Sequence, residues 1–135
     1  MKSRLILVCI MTVMSLCLLA CSSGAPSEVS VDESYNGKEV EIAVDGSLTV
    51  TLESNATTGF QWDEASKIGD QTVLKQVEHQ FIAPESTGMV GAPGKEVWTF
   101  RALKKGNSTI SMEYSQPWEG GTKAGETFAL TVVVK

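Results

Sequence analysis

From Val29 to the C-terminus, apolar and polar positions alternate with a period of two. Leu48, Val50 and Leu52 alternate with Thr49, Thr51 and Glu53. Trp98, Phe100 and Ala102 alternate with Thr99, Arg101 and Leu103. Ile110, Met112 and Tyr114 alternate with Ser111 and Glu113, and Phe128, Leu130, Val132 and Val134 with Thr127, Ala129, Thr131 and Val133. Val40 and Ile42, set between glutamates, look like another such run, and Val73–Ile82 is also strand-like. Successive side chains of a strand point to opposite faces, so each run predicts a strand with one buried and one wet face. No window of a dozen residues carries a helical stripe. Asp45-Gly46 and Lys105-Gly106-Asn107 predict hairpin-type connections. Roughly seven short strands at spacings near ten residues predict an all-β fold, a sandwich of two sheets.

The first 20 residues follow a different rule. Lys2 and Arg4 precede an apolar run, Leu5–Ala20, broken only by Thr12 and Ser15. Its 16 residues fall short of the roughly 20 that span a bilayer. The layout is that of a secretory signal. The run ends Leu18-Leu19-Ala20-Cys21, which resembles the bacterial lipobox. That resemblance implies cleavage before Cys21, a thioether-linked diacylglycerol on its sulfur and usually an acylated amine. Two or three acyl chains hold a soluble domain on a membrane stably. The expected organisation is a signal peptide over residues 1–20, the lipidated cysteine and a flexible tether over 21–28, and one domain over 29–135. Ser22 after the cysteine lacks the aspartate that favours inner-membrane retention in many Gram-negative bacteria. The expected location is therefore extracytoplasmic, on the outer membrane if the cell has one.

Composition narrows the chemistry. The 135-residue chain carries a net charge of −5, with 20% charged and 42% hydrophobic residues, which fits a globular domain. Signal cleavage removes two of the 11 basic residues and none of the 16 acidic ones, which makes the mature domain more acidic still. No Lys/Arg cluster provides a nucleic-acid footprint. All three cysteines, Cys9, Cys17 and Cys21, lie at or before the lipobox. The domain is therefore expected to fold in an oxidising compartment without a disulfide. His79 is the one histidine. It is expected to be satisfied or solvent-facing, since no second base or ligand of the right type accompanies it. No enzyme activity, metal or cofactor is expected.

Three connections exceed what a turn needs. The first is Asn55-Ala56-Thr57-Thr58-Gly59-Phe60, where Asn55 suits an Asx-turn and Gly59 suits positive φ. Taken alone it also reads as a plain interstrand loop. The second, Ser86–Lys95, holds Gly88, Gly91, Ala92, Pro93 and Gly94. It lacks the Gly-Lys-Ser/Thr and the following helix of a phosphate cradle. Met89 and Val90 in it are expected to be exposed, a hint of a contact surface. The third, Ser115–Gly121, contains Gln116-Pro117-Trp118. A tryptophan held behind a proline offers a large contact area at low entropic cost, although it also has the option of folding back on its own domain.

The three segments together resemble the chagasin-type inhibitors of papain-like cysteine proteases, over roughly Glu39 to Lys135. The motifs that carry the resemblance are Asn55–Phe60, Gly91-Ala92-Pro93-Gly94 followed by Glu96-Val97-Trp98-Thr99-Phe100, and Gln116-Pro117-Trp118. The resemblance implies an immunoglobulin-like β-sandwich whose three loops form a wedge that enters the protease cleft. It places Thr57 nearest the catalytic cysteine and histidine, with Thr58 and Gly59 supporting the loop. Gly91–Gly94 is implied as one flank, and Pro117 with Trp118 as the other, Trp118 packing on enzyme aromatics. Three departures are visible. Ala56 stands where the family often has proline, Gln116 where it often has arginine, and Pro93 where glycine is common. They are expected to tune affinity or target choice. A monomer is the default for a wedge whose loops must stay free. The rival reading is a lipid-anchored immunoglobulin-like module for adhesion or complex assembly, because a sandwich alone decides no function.

Overall fold

The computed structural model describes residues 24–85 and 91–135. The expectations for the signal segment, for Cys21 and Ser22, and for Met89 and Val90 lie outside those residues. Nine strands form two sheets: β1 (Glu28–Val31), β2 (Lys38–Ile42), β3 (Ser47–Ser54), β4 (Gln61–Trp62), β5 (Lys67–Ile68), β6 (Leu74–Ile82), β7 (Gly94–Ala102), β8 (Gly106–Ser115) and β9 (Glu126–Val134). One sheet has the order β1-β3-β7-β6 and the other β2-β9-β8-β4, with β5 also paired to β8. The immunoglobulin-like sandwich expected from the sequence is present. The described residues hold nine strands rather than roughly seven. β1 and β5, of four and two residues, are too short for alternation to reveal them.

The alternating positions close on one another as the period of two requires. Leu48, Val50, Leu52, Trp98, Phe100 and Ala102 from one sheet meet Ile42, Ile110, Met112, Phe128, Leu130, Val132 and Val134 from the other, all buried. A fully buried side chain of this size contributes roughly 1.5–3 kcal/mol relative to exposure. Every buried hydrophobic residue among those described lies between Val31 and Val134. Just ahead of β1, the Pro26 and Ser27 carbonyls already accept from Ala43 N–H and Ser47 N–H at 2.9 and 2.8 Å. The hydrogen-bonded body therefore begins within the segment read as tether.

Two turn expectations are corrected. Asp45-Gly46 lies between β2 and β3, and Lys105-Gly106-Asn107 leads from the β7 connection into the start of β8, but in each case the two strands belong to different sheets. Neither is a hairpin; both are crossovers. Asp45 has φ 65° and Gly106 φ 148°, so the turn residues supply the backbone freedom they signal. Turn chemistry fixes a change of direction and leaves open which sheet receives the next strand. The crossover at Asp45 docks on the end of β7: Asp45 N–H donates to the Ala102 carbonyl and Ala102 N–H to the Gly46 carbonyl.

Register places the unusual loops. The last residue of β3, Ser54, faces the first of β7, Gly94, and Ile82 at the end of β6 faces Lys95. Gln61 at the start of β4 faces Ser115 at the end of β8. The connections 55–60, 83–93 and 116–125 therefore all leave the sandwich from the same end.

Candidate functional site

Asn55 organises the first loop. Its side-chain oxygen accepts from Thr57 N–H at 3.1 Å and from the Thr57 hydroxyl at 2.6 Å, which caps a single 3-10 turn over Ala56–Thr58. The Thr58 hydroxyl donates to the Asn55 carbonyl at 2.7 Å. Gly59 ends the turn with φ 76°, where an L side chain is strained. Below the loop, the Tyr114 hydroxyl accepts from Asn55 N–H at 2.9 Å. Phe60 stacks on the Tyr114 ring at 5.3 Å, with Trp62 on the same ring at 5.1 Å. Phe60 thus faces inward as a support, and Thr57 and Thr58 stand exposed. Because Thr57 donates its proton to Asn55, its hydroxyl lone pairs remain free to accept from a partner.

The other loops are fastened to the first. Asn55 Nδ2 donates to the Gly91 carbonyl at 3.1 Å. A Cβ built on Gly91, which has φ 85°, would lie 3.9 Å from the Thr57 hydroxyl oxygen. Ala92 is half-buried and Pro93 exposed. Gly94 is not a loop residue: it opens β7, and a Cβ there would come within 2.5 Å of the Ile82 carbonyl. On the opposite side the Trp118 indole lies across Gly59, where a Cβ would fall 2.3 Å from Cη2. Trp118 is 50% exposed: it rests against Gly59 of the first loop and, at its indole nitrogen, near Gly121 of its own. Gln116 faces its own loop, with its side-chain oxygen accepting from Thr122 N–H at 2.9 Å. It therefore helps to close the loop base. Pro117 is exposed beside Trp118. Thr57, Ala92 and Trp118 thus stand on one continuous ridge.

Sequence reasoning missed two supports. Tyr114 appeared only as an alternating strand position, yet its hydroxyl holds the first loop. Lys123 sends its ammonium to the carbonyls of Gln116 and Trp118. That places a cation within the third loop, although the position before Pro117 carries none. A third group sits beneath the ridge: the Glu96 carboxylate, 4% exposed, bonded to Ser54, Trp62 and His79. His79 is satisfied there, packed 5.1 Å from the Trp98 ring centre. Among the described residues, no cluster of His, Cys, Asp or Glu has the form of a metal site.

The Asn55–Gly91 link gives a direct test. Asn55→Asp keeps the oxygen that caps Thr57 and loses the N–H donor to Gly91. The expected result is a fall in stability of about 1 kcal/mol or less. Amide exchange at Gly91 and Ala92 should rise, and exchange at Thr57 should stay near the wild-type rate.

Residues 41–132 match the family described as chagasin family peptidase inhibitor I42. Chagasin of Trypanosoma cruzi is 28% identical over 102 residues, covering 74% of this chain and 92% of that protein. The crystal structure of the cysteine protease inhibitor EhICP2 from Entamoeba histolytica superimposes with a TM-score of 0.69. It has 24% identity and covers 82% of this chain and 100% of that one. PbICP-C, in its structure in complex with falcipain-2, gives a TM-score of 0.54 at 18% identity over 84% of this chain and 93% of that one. A two-sheet sandwich, three interlocked loops at one end and a family match spanning most of the domain lead to one conclusion: the chain belongs to the chagasin family of peptidase inhibitors.

Proposed function

We propose that the loop end reversibly blocks the active-site cleft of a papain-like cysteine protease. The observation that carries this reading is the interlocking of the three loops into one ridge through Asn55–Gly91 and Trp118–Gly59. Chagasin and EhICP2 are relatives in sequence and in fold, and PbICP-C is bound to falcipain-2 in its structure. Such a protease works through a thiolate–imidazolium pair in an open groove. A ridge that presents threonine hydroxyls and backbone to that pair, with no carbonyl carbon placed for attack, excludes substrate without chemistry of its own. Thr57 is the residue assigned to the catalytic pair, where its free lone pairs face an imidazolium N–H. Ala92 and Pro93 form one flank and Pro117 and Trp118 the other. Phe60, Gly94 and Gln116 act from behind, by shaping the loops. A ridge already fastened before contact loses little entropy on binding.

The test is the activity of papain and cathepsin-type enzymes against the soluble domain, residues 22–135. Stoichiometric, reversible inhibition is expected. Several such proteases left untouched by micromolar domain would favour the adhesion reading.

The anchor belongs to the same proposal. The positive start, the apolar run and Leu18-Leu19-Ala20-Cys21 support cleavage before Cys21 and lipidation there. The inhibitor is then held at an extracytoplasmic membrane surface, the outer membrane in a Gram-negative cell. In cells fed labelled palmitate, the wild-type chain is expected to carry label and to sediment with membranes. Cys21→Ser is expected to carry none, and label retained on that variant would contradict the anchor.

A further inference from the structure

At the loop end a polar cluster lies beside the buried Trp62 and Trp98. Residues described as buried and polar number three: Ser54, Glu96 and Ser108. The first two bond to each other. Glu96 Oε1 accepts from the Ser54 hydroxyl at 2.7 Å and from Trp62 N–H at 3.1 Å, and Oε2 lies 2.9 Å from His79 Nε2.

The positions of those partners matter more than their number. Ser54 is the last residue of β3 and Trp62 the last of β4, so they are the two stems of the first loop. His79 lies on β6, the strand that enters the second loop, and Glu96 on β7, the strand that leaves it. β4 belongs to the opposite sheet. One carboxylate therefore ties both stems of one loop to both stems of the next and joins the two sheets at the loop end. The groove above it is lined by Ala56, Gly59, Phe81, Pro117 and Trp118, so the tie lies directly under the ridge.

We propose that Glu96 is the positioning residue of the binding edge: its carboxylate holds the first loop in the shape that enters the protease. An apolar residue of equal size fills the space but leaves Trp62 N–H and the Ser54 hydroxyl without a partner. Retaining a buried carboxylate for conformational specificity has precedent in buried polar groups that fix register. The proposal rests on the inhibitory reading above and concerns how that activity is built.

The experiment compares Glu96→Ala and Glu96→Gln in the 22–135 domain with Ser108→Ala. Ser108 is the matched control, because its hydroxyl bridges Asp70 N–H and carbonyl at the opposite end. Two readouts are taken: affinity for an inhibited papain-like protease, and amide exchange over Asn55–Trp62. Glu96→Ala should weaken binding about tenfold or more and speed exchange in the first loop, including at Trp62. Glu96→Gln keeps an oxygen for Ser54 and Trp62 and should bind within about threefold of wild type. Ser108→Ala should lower the melting temperature and leave affinity within about twofold. Should Glu96→Ala fail to fold, Ser54→Ala removes one arm of the tie and is expected to move the same readouts in the same direction. The proposal is overturned if folded Glu96→Ala, or Ser54→Ala in its place, exchanges its first-loop amides at the wild-type rate. It is equally overturned if that variant binds as Ser108→Ala does. The exchange arm needs no protease, so a wild type that binds none would refute the inhibitory reading and still leave the role of Glu96 decided.

Discussion

Gly59→Ala is expected to disable the ridge at two points with one methyl group. Gly59 has φ 76°, a left-handed conformation that costs an alanine roughly 1–2 kcal/mol. Its new Cβ would also stand 2.3 Å from Trp118 Cη2 and 2.9 Å from Cζ3, far inside contact distance. The 3-10 turn and the indole then have no common solution. Either the turn opens, moving Thr57 and Thr58, or Trp118 swings off its seat. Both outcomes separate the first loop from the third. Inhibition should weaken about tenfold to a hundredfold, which is about 1.4–2.7 kcal/mol. The sandwich should remain folded, because the three atoms nearest the new Cβ all belong to Trp118, a half-exposed side chain outside the core. The check pairs inhibition titrations with thermal unfolding. Wild-type inhibition by Gly59→Ala would mean that the turn and the indole do not act together.

Trp118→Ala is expected to weaken inhibition at least about tenfold, about 1.4 kcal/mol. Its effect on stability should be smaller than that of cutting a core aromatic, since half of the side chain is already in water. Tryptophan supplies large rigid area and is enriched among residues that dominate binding energy. Here the area comes seated on Gly59, so its rotamer is set before contact. Trp118→Phe keeps an aromatic face and should recover part of the loss. An adhesion module that binds through strand faces or edges predicts no change in either variant.

The sequence was most legible where structure is local. The alternation around Leu48, Trp98, Ile110 and Phe128 announces strands because burying one face of a sheet demands it. Asn55 and Gly59 announce a capped turn because their own side chains, or lack of one, make it. Long-range relations were not legible. β1 lies parallel to β3 and β2 parallel to β9, and nothing in either strand specifies its neighbour. The Asp45-Gly46 turn looks like a hairpin because hairpins and crossovers need the same backbone freedom. Tyr114 holds Asn55 across 59 positions and Glu96 holds Ser54 across 42, distances at which no local pattern survives. The Gln116 side-chain oxygen accepts from Thr122 N–H within its own loop, a pairing set by loop shape. The family motifs supplied what periodicity could not, namely that loops from three separate connections share one end.

Competition at the protease cleft tests the central claim most directly. The 22–135 domain is titrated into papain whose catalytic thiol carries a small methylthio cap, and then into papain whose cleft is filled by a covalent peptidyl ligand. The ridge should bind the first enzyme at one to one and fail to bind the second. Equal binding to both would place the contact outside the cleft and contradict the account.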